Sequence, residues 1–363
     1  MEEEPTPFGV YVHIPFCSRR CGYCAFATWT DRHHLMASYA DACITEAARG
    51  ALGAATSVFF GGGTPSLLPA DRLLAILDAV PRVPGAEVTV ECNPDTVTPG
   101  SLATYREGGV TRVSFGVQSM DPVVLASLGR EHGSAAVHRA VTAAGDVGFA
   151  DSYSVDLIYG AAGETRRGWQ QTLESVLSLD PAPAHVSAYA LTVEPGTPLA
   201  RETERHPDGD DQADKYAIAD DLLGAAGLSW YEISNWARPG AESRHNQLYW
   251  EQGAYRGIGC AAHSHGRTAG GEWRRWWNVR TPERYQRLIA EGRSVVASGE
   301  TLDAQTRELE RLQLALRTRH GVDSSALVED PLLDGLVERA RDQAVLTVRG
   351  RMLANEVALR LRA

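Results

Sequence analysis

Six short runs rich in Val, Ile, Tyr or Phe, several followed by a helical stretch, constrain this 363-residue chain more than any other feature. They cover 9–14, 57–60, 87–91, 112–117, 152–158 and 185–192. Several are almost uninterrupted apolar segments, the pattern of parallel strands covered on both faces. Amphipathic helical patterns lie between them, for example over 35–48, 70–79, 134–147 and 168–178. Such alternation needs right-handed crossovers and predicts an α/β fold, either a doubly wound sheet or a barrel. Both place their chemistry at the C-terminal ends of the strands. Cys17, the glycines 61–63 with Thr64, Asn93, Asp95, Gln118 and Asp156 stand there.

The texture changes near residue 230. Six of the eight tryptophans follow: Trp230, Trp236, Trp250, Trp273, Trp276 and Trp277. The reading therefore divides the chain into 1–230, a Trp-rich connecting region 231–300, and a C-terminal module 301–363. In that module Thr301 is expected to cap a helix with Leu309, Leu312 and Leu316 on one face. A second helix is expected over 332–341, then a hairpin pairing 345–348 with 352–353 through Arg349-Gly350, then a helix over 355–362. Helix, helix, hairpin is similar to a small winged-helix α+β domain.

Composition removes some function classes. A net charge of −11 argues against a nucleic-acid partner. No apolar run reaches the roughly 18 residues of a membrane-spanning helix. The opening Met1-Glu2-Glu3-Glu4-Pro5 has no signal-peptide pattern, so a cytoplasmic location with reduced thiols is expected. Of six cysteines, Cys43, Cys92 and Cys260 read as small buried hydrophobes. The other three fall within eight residues and read as a metal or cluster site.

That trio, Cys17, Cys21 and Cys24, forms a C-x3-C-x2-C pattern. Three thiolates on one loop can hold three corners of a [4Fe–4S] cubane and leave one iron open. Zinc is the alternative, with a fourth ligand from afar such as His13 or His33. The segment Phe59-Phe60-Gly61-Gly62-Gly63-Thr64-Pro65 follows a strand. Its glycines let a ligand come close to the backbone, and it is neither a P-loop nor a dinucleotide fingerprint.

Together these motifs resemble the radical S-adenosylmethionine superfamily. Tyr11-Val12-His13-Ile14-Pro15-Phe16 leads into the cysteine loop, and Glu91-Cys92-Asn93-Pro94-Asp95, Ser114-Phe115-Gly116-Val117-Gln118-Ser119, Leu128-Gly129-Arg130 and Asp156-Leu157-Ile158-Tyr159-Gly160 follow in order. The branch is that of oxygen-independent coproporphyrinogen III oxidase and its relative, the HemW-type haem chaperone. The resemblance implies a partial (β/α)6 barrel, with the cluster on Cys17, Cys21 and Cys24. It implies S-adenosylmethionine held by Gly62, Gly63, Thr64, Glu91 and Arg130, and lined by Tyr11, Tyr23, Gln118 and Asp156.

Within the branch, the oxidase carries a fourth cysteine where Phe26 stands here, and a long extension where sixteen residues precede Cys17. Both departures match the HemW type, in which the motif His245-Asn246-Gln247-Leu248-Tyr249-Trp250 is associated with haem. Neutral imidazole is a common axial ligand of haem iron, and Trp and Tyr can cover a porphyrin. A hydrogen-bonded core histidine is the plainer alternative, and His263 and His265 are rival ligands. Ala25 replaces a polar residue of relatives, and Cys260 and Ala261 stand near their Pro and Gly. The resemblance implies haem or porphyrin and haem-acceptor proteins as partners, with peripheral membrane association and a homodimer left open. Two functions are carried: a haem chaperone, or an oxidase that decarboxylates propionates by way of a 5′-deoxyadenosyl radical.

Overall fold

The computed structural model describes residues 6–50 and 52–362, and the acidic opening segment 1–5 lies outside the described residues. The first half alternates β1 Phe8–Ile14, α1 Met36–Arg49, β2 Ala55–Gly62, α2 Ala70–Asp78, β3 Arg82–Cys92 and α3 Pro99–Glu107. It continues with β4 Arg112–Gln118, α4 Pro122–Ser127, α5 Ser134–Asp146, β5 Tyr153–Tyr159, α6 Arg166–Leu177 and β6 His185–Ala190. Next come α7 Gly209–Ala225, β7 Ser229–Glu232, β8 Asn235–Ala237, α8 Arg244–Trp250 and β9 Ala254–Ile258. Then follow β10 His263–Arg267, β11 Trp273–Asn278, α9 Pro282–Ala290 and β12 Val296–Leu302. The remainder is α10 Ala304–Leu316, β13 Val322–Asp323, β14 Val337–Ala340, β15 Gln343–Leu346, α11 Val348–Met352 and α12 Ala354–Ala358.

Strands β1 to β6 lie side by side in chain order, all parallel. They are the six runs read from the sequence. Strand β9 returns to pair in parallel with the free side of β1, and β10, β11 and β12 extend that edge antiparallel. Strands β8 and β7 extend the other edge beyond β6. The Trp-rich stretch thus supplies strands to both edges of one twelve-stranded sheet.

Each strand alternates two kinds of residue. In β1, Val10, Val12 and Ile14 are fully buried in the apolar layer, and Tyr11 turns the opposite way into a polar interior cavity. Helix α1 covers the apolar layer with Tyr39, Ala40, Cys43 and Ala47, spaced for one helical face. The result is a partial barrel with a dry outer layer and a polar lumen. No helix among the described residues is long and apolar enough to cross a membrane.

The C-terminal module has its own apolar cluster, built on Leu312, Leu316, Val322, Leu327, Leu333, Leu346 and Val357. It is pinned to α7 by a buried two-pronged pair, with Arg351 Nη1 and Nη2 each 2.8 Å from the Asp220 carboxylate. Three details of the module differ from the sequence expectation. The cap of α10 is Asp303, whose carboxylate accepts the Thr306 N–H, while Thr301 lies in β12. No helix spans 332–341: Gly335 takes φ +74 there, and β14 follows. The hairpin is β14–β15 and not 345–353. Thr347 caps α11 at the Gly350 N–H, and a Cβ on Gly350 would meet Leu336 O at 1.8 Å. That glycine serves close packing and makes no turn.

Candidate functional site

The loop carrying the cysteines leaves the C-terminal end of β1. It is tied down at both ends, with Cys17 N–H donating to Trp29 O at 3.1 Å and Trp29 N–H to Pro15 O at 2.8 Å. The three thiols are half-buried and free of disulfides. Burial raises the pKa of Cys17 and Cys24. Among the described residues no three His, Cys, Asp or Glu side chains converge as the ligands of one metal ion do. Corners of a cubane bind separate irons, so thiols spread along one loop fit a cluster better than a zinc ion. Phe26, where the oxidase pattern has its further cysteine, is 62% exposed.

Around this loop the glycine turn makes a narrow cradle. Gly63 N–H donates to Ile14 O and Thr64 N–H to Phe16 O, both at 2.8 Å. Gly62 has φ +111, and a Cβ there would lie 2.4 Å from the His13 ring. On Gly63 it would lie 2.6 Å from Phe16 O, so neither position admits a side chain. The Thr64 hydroxyl reaches Cys17 Sγ at 3.8 Å. Arg130 places Nη1 3.9 Å from Cys21 Sγ and donates from Nη2 to Gly116 O at 2.8 Å. Its Nε is buried with no partner, a donor open to a ligand carboxylate. Tyr23 packs on a small apolar cluster with Leu128, Ile158, Leu191 and Leu199.

The strands beneath supply the rest. Glu91 accepts the Gly62 N–H at 3.1 Å. Burial first, and then the facing Asp156, push its carboxyl up to about 8. Asp156 is also raised by burial, and accepts the Ser114 hydroxyl at 2.6 Å. Two buried carboxyls without a basic partner in contact are suited to a cationic ligand such as an ammonium. Tyr11 donates to His13 Nδ1 at 3.0 Å, the tautomer being set by His13 Nε2–H donating to Ala27 O at 2.9 Å. Gln118 ends β4 in a bulge with φ +65, a strained conformation for a non-glycine residue. The absence of a side chain at Gly116 makes room for the Gln118 amide, since a Cβ there would lie 2.9 Å from it.

His245 is placed elsewhere. It sits in the first turn of α8, at the opposite end of the strands. Ser57 pairs with Gly9 while Gly62 pairs with Ile14, so the two ends are about 17 Å apart along β2. Its Nδ1 is 2.9 Å from the Ser57 hydroxyl and its Nε2 2.9 Å from the Tyr249 hydroxyl. The ring stacks on Phe59 and is 1% exposed. Burial lowers its pKa to about 3. Glu87 fastens the helix by accepting the Arg244 and His245 N–H groups at 3.1 and 3.0 Å. Helix α8 therefore closes the floor of the barrel, and Gly9 leaves room for it: a Cβ there would strike Leu248 at 2.5 Å. His263 is exposed against Trp277, and His265 is buried with Nδ1 on Gly253 O.

Between rim and floor lies a cavity of about 190 Å³, lined by Tyr11, Glu91, Arg112, Asp156, His185 and His245 among others. Sequence reasoning passed over Thr89, Arg112, Ser114, Ser154, His185 and Ser187. Their signal was a polar residue at every second position of otherwise apolar strands, which marks a polar lumen.

A model of the radical SAM superfamily matches residues 11–176. The chain is 42% identical to the haem chaperone HemW of Mycobacterium tuberculosis, over 97% of this chain and 94% of that one. It is 32% identical to HemW of Bacillus subtilis, over 96% and 97%, and 31% identical to that of Escherichia coli, over 97% of each. Among solved structures, the coproporphyrinogen III oxidase of Escherichia coli, a radical SAM enzyme, shares the fold with a TM-score of 0.83. That match has 22% identity and covers 98% of this chain and 89% of that one. With a lumen, a cysteine loop and a glycine cradle in the order its motifs require, the chain belongs to the HemW family of radical SAM proteins.

Proposed function

We propose that this chain is a cytoplasmic haem chaperone that binds haem and passes it to acceptor proteins, and that it carries a [4Fe–4S] cluster with S-adenosylmethionine. The observation that carries the reading is near-full-length similarity to HemW chaperones, at 42% identity. Phe26 at the place of the oxidase's further cysteine supports it. Cys17, Cys21 and Cys24 would hold the cluster. When bound, it supplies one-electron reductive cleavage of the sulfonium ligand. Glu91 and Asp156 receive that ligand's ammonium and ribose hydroxyls, and Arg130 its carboxylate. Gly62, Gly63 and Thr64 present backbone at its amino-acid end, while Tyr11, Tyr23 and Gln118 line it.

Haem is far too large for a cavity of about 190 Å³. His245 therefore coordinates haem iron only if Tyr249 releases its Nε2 and α8 lifts from the floor. A haem titration of wild type, His245→Ala and Tyr249→Phe tests this. The expected result is binding lost in the first variant and kept or tightened in the second. Unchanged binding in His245→Ala makes the residue a floor element only. Anaerobic incubation of the reconstituted protein with coproporphyrinogen III separates the oxidase: protoporphyrinogen with 5′-deoxyadenosine would overturn the chaperone reading.

A further inference from the structure

The lower half of the lumen contains a second polar arrangement, distinct from the groups assigned to S-adenosylmethionine. Arg112 opens β4, six residues and about 20 Å of strand before Gln118 at the rim. Its side chain is buried, at 6% exposure. Nη1 donates to Ala241 O at 2.9 Å, but Nη2 is buried with no partner. Among the described residues no carboxylate forms an ion pair with it, and the nearby Asp156 is engaged by Ser114. Asp156 acts on the guanidinium through space only, and a buried donor left unbonded is costly, a cost that an anion in contact relieves.

Two more donors face the same space. Thr89, beside Arg112 in the β3–β4 register, has a buried hydroxyl with no partner at 1% exposure. His185 on β6 is 2% exposed, with Nε2 2.8 Å from the Tyr231 hydroxyl and Nδ1 unpartnered. Among the described residues the Tyr231 hydroxyl has no hydrogen-bond acceptor other than this ring nitrogen. Its hydrogen therefore goes to His185 Nε2, which leaves the proton of this neutral ring on the unpartnered Nδ1. Burial, and then the Arg112 charge, keep the ring neutral. Arg112, Thr89 and His185 all line the cavity, whose floor is made by His245, Asn246 and Tyr249.

We propose that this chamber is a binding site for a small organic carboxylate, held by Arg112 Nη2, His185 Nδ1–H and the Thr89 hydroxyl. Its volume sets an upper limit on size. An apolar cavity of about 150 Å³ takes benzene; this one, of about 190 Å³, also reaches Tyr11, Glu91 and Asp156 at its upper end, so its lower part takes an acid no larger than propionate or benzoate. A carboxylate suits the donor set because it accepts several N–H and O–H bonds at once. The H-N-x-x-Y-W motif then has a second role: α8, which carries it, seals the chamber through His245, Asn246 and Tyr249.

The test is calorimetry on the full-length, anaerobically reconstituted protein, with propionate, benzoate and chloride as probes. Saturable binding of a carboxylate, with chloride much weaker, is expected. Arg112→Met should lower the affinity tenfold or more. Thr89→Val keeps the shape of the side chain and should lower it a few-fold without loss of fold. In wild type the His185 Nδ1 proton resonance should move on carboxylate addition, a change that general ionic strength does not produce. Absence of saturable carboxylate binding, equal binding of chloride, or an unchanged affinity in Arg112→Met and Thr89→Val overturns the proposal. Haem is the second arm. Haem binding should be unaffected by saturating benzoate, and competition would assign the chamber to the carboxylate arm of a tetrapyrrole and overturn the free-acid assignment.

Discussion

The cysteine-bearing rim of this barrel and helix α8 on its floor lie about 17 Å apart along the same strands, and they treat polar groups in opposite ways. At the rim the thiols of Cys17, Cys21 and Cys24 are half-buried on a loop, Arg130 Nε has no partner, and Glu91 has one backbone donor. At the floor, α8 is bonded almost completely: His245 through both ring nitrogens, and its first N–H groups to Glu87. Open valences mark a place built for ligands, and closed ones mark a place built to hold shape. A motif at the floor can therefore be part of the scaffold even where its residue types suggest ligation.

The largest expected effect comes from the rim. Cys21→Ala should remove most of the iron from the reconstituted protein, because two thiolates hold a cubane poorly. Its far-ultraviolet circular dichroism should match wild type, since the loop adds little to the core. The complementary change is Glu87→Ala at the floor. It strips the Arg244 and His245 N–H groups and the Ser243 hydroxyl of their acceptor, and should cost about 3 kcal/mol in denaturant unfolding. Iron per folded molecule should not change. If Glu87→Ala loses iron as fully as Cys21→Ala does, rim and floor are not independent and the comparison fails.

A pH series sharpens the same contrast. The Glu91 carboxyl is raised from 4.5 to about 8 by burial and by Asp156. Between those values the folded protein keeps a proton that the unfolded chain has released. The unfolded state then binds fewer protons, so this group makes stability fall as pH rises through that window. With the polar lining of the cavity screening the charge, the effect should be about 2 kcal/mol. Unfolding of the cluster-free protein at pH 5 and pH 8 should show this decline in wild type and not in Glu91→Gln. Equal declines in both would place the titrating group elsewhere.

Most of the rim was legible because its chemistry is consecutive in the chain: a cysteine loop, a glycine turn, and single polar residues at strand ends. The six parallel strands were legible for a similar reason, since each is a short run with its own composition. The seventh parallel strand, β9, was not. Ala254-Tyr255-Arg256-Gly257-Ile258 has no strong strand signature, and it becomes a strand because β1 offers a free edge. The lumen residues Thr89, Arg112 and His185 come from three different strands and meet only through register. In the C-terminal module, Gly335 and Gly350 act through left-handed backbone and through contact with Leu336, which periodicity does not encode.

The smallest effect expected is at the rim, just beyond β9. Ala261 has φ +56, where its Cβ crowds the backbone and glycine does not. The residue cannot relax locally, because Ala261 N–H donates to Val279 O at 2.9 Å and the preceding Cys260 N–H to the Tyr39 hydroxyl at 2.8 Å. Left-handed backbone costs an alanine about 1 kcal/mol, and glycine's greater freedom when unfolded returns part of that. Ala261→Gly should therefore stabilise the protein by about 0.5 kcal/mol, a rise of about 1–2 °C in Tm. Gln118, the other strained rim residue, has φ +65 and no such simple remedy, because its side chain is proposed to line the ligand. If Ala261→Gly instead lowers Tm, the methyl group's packing outweighs the backbone strain, and Ala261 then belongs with the closed, shape-holding part of the molecule.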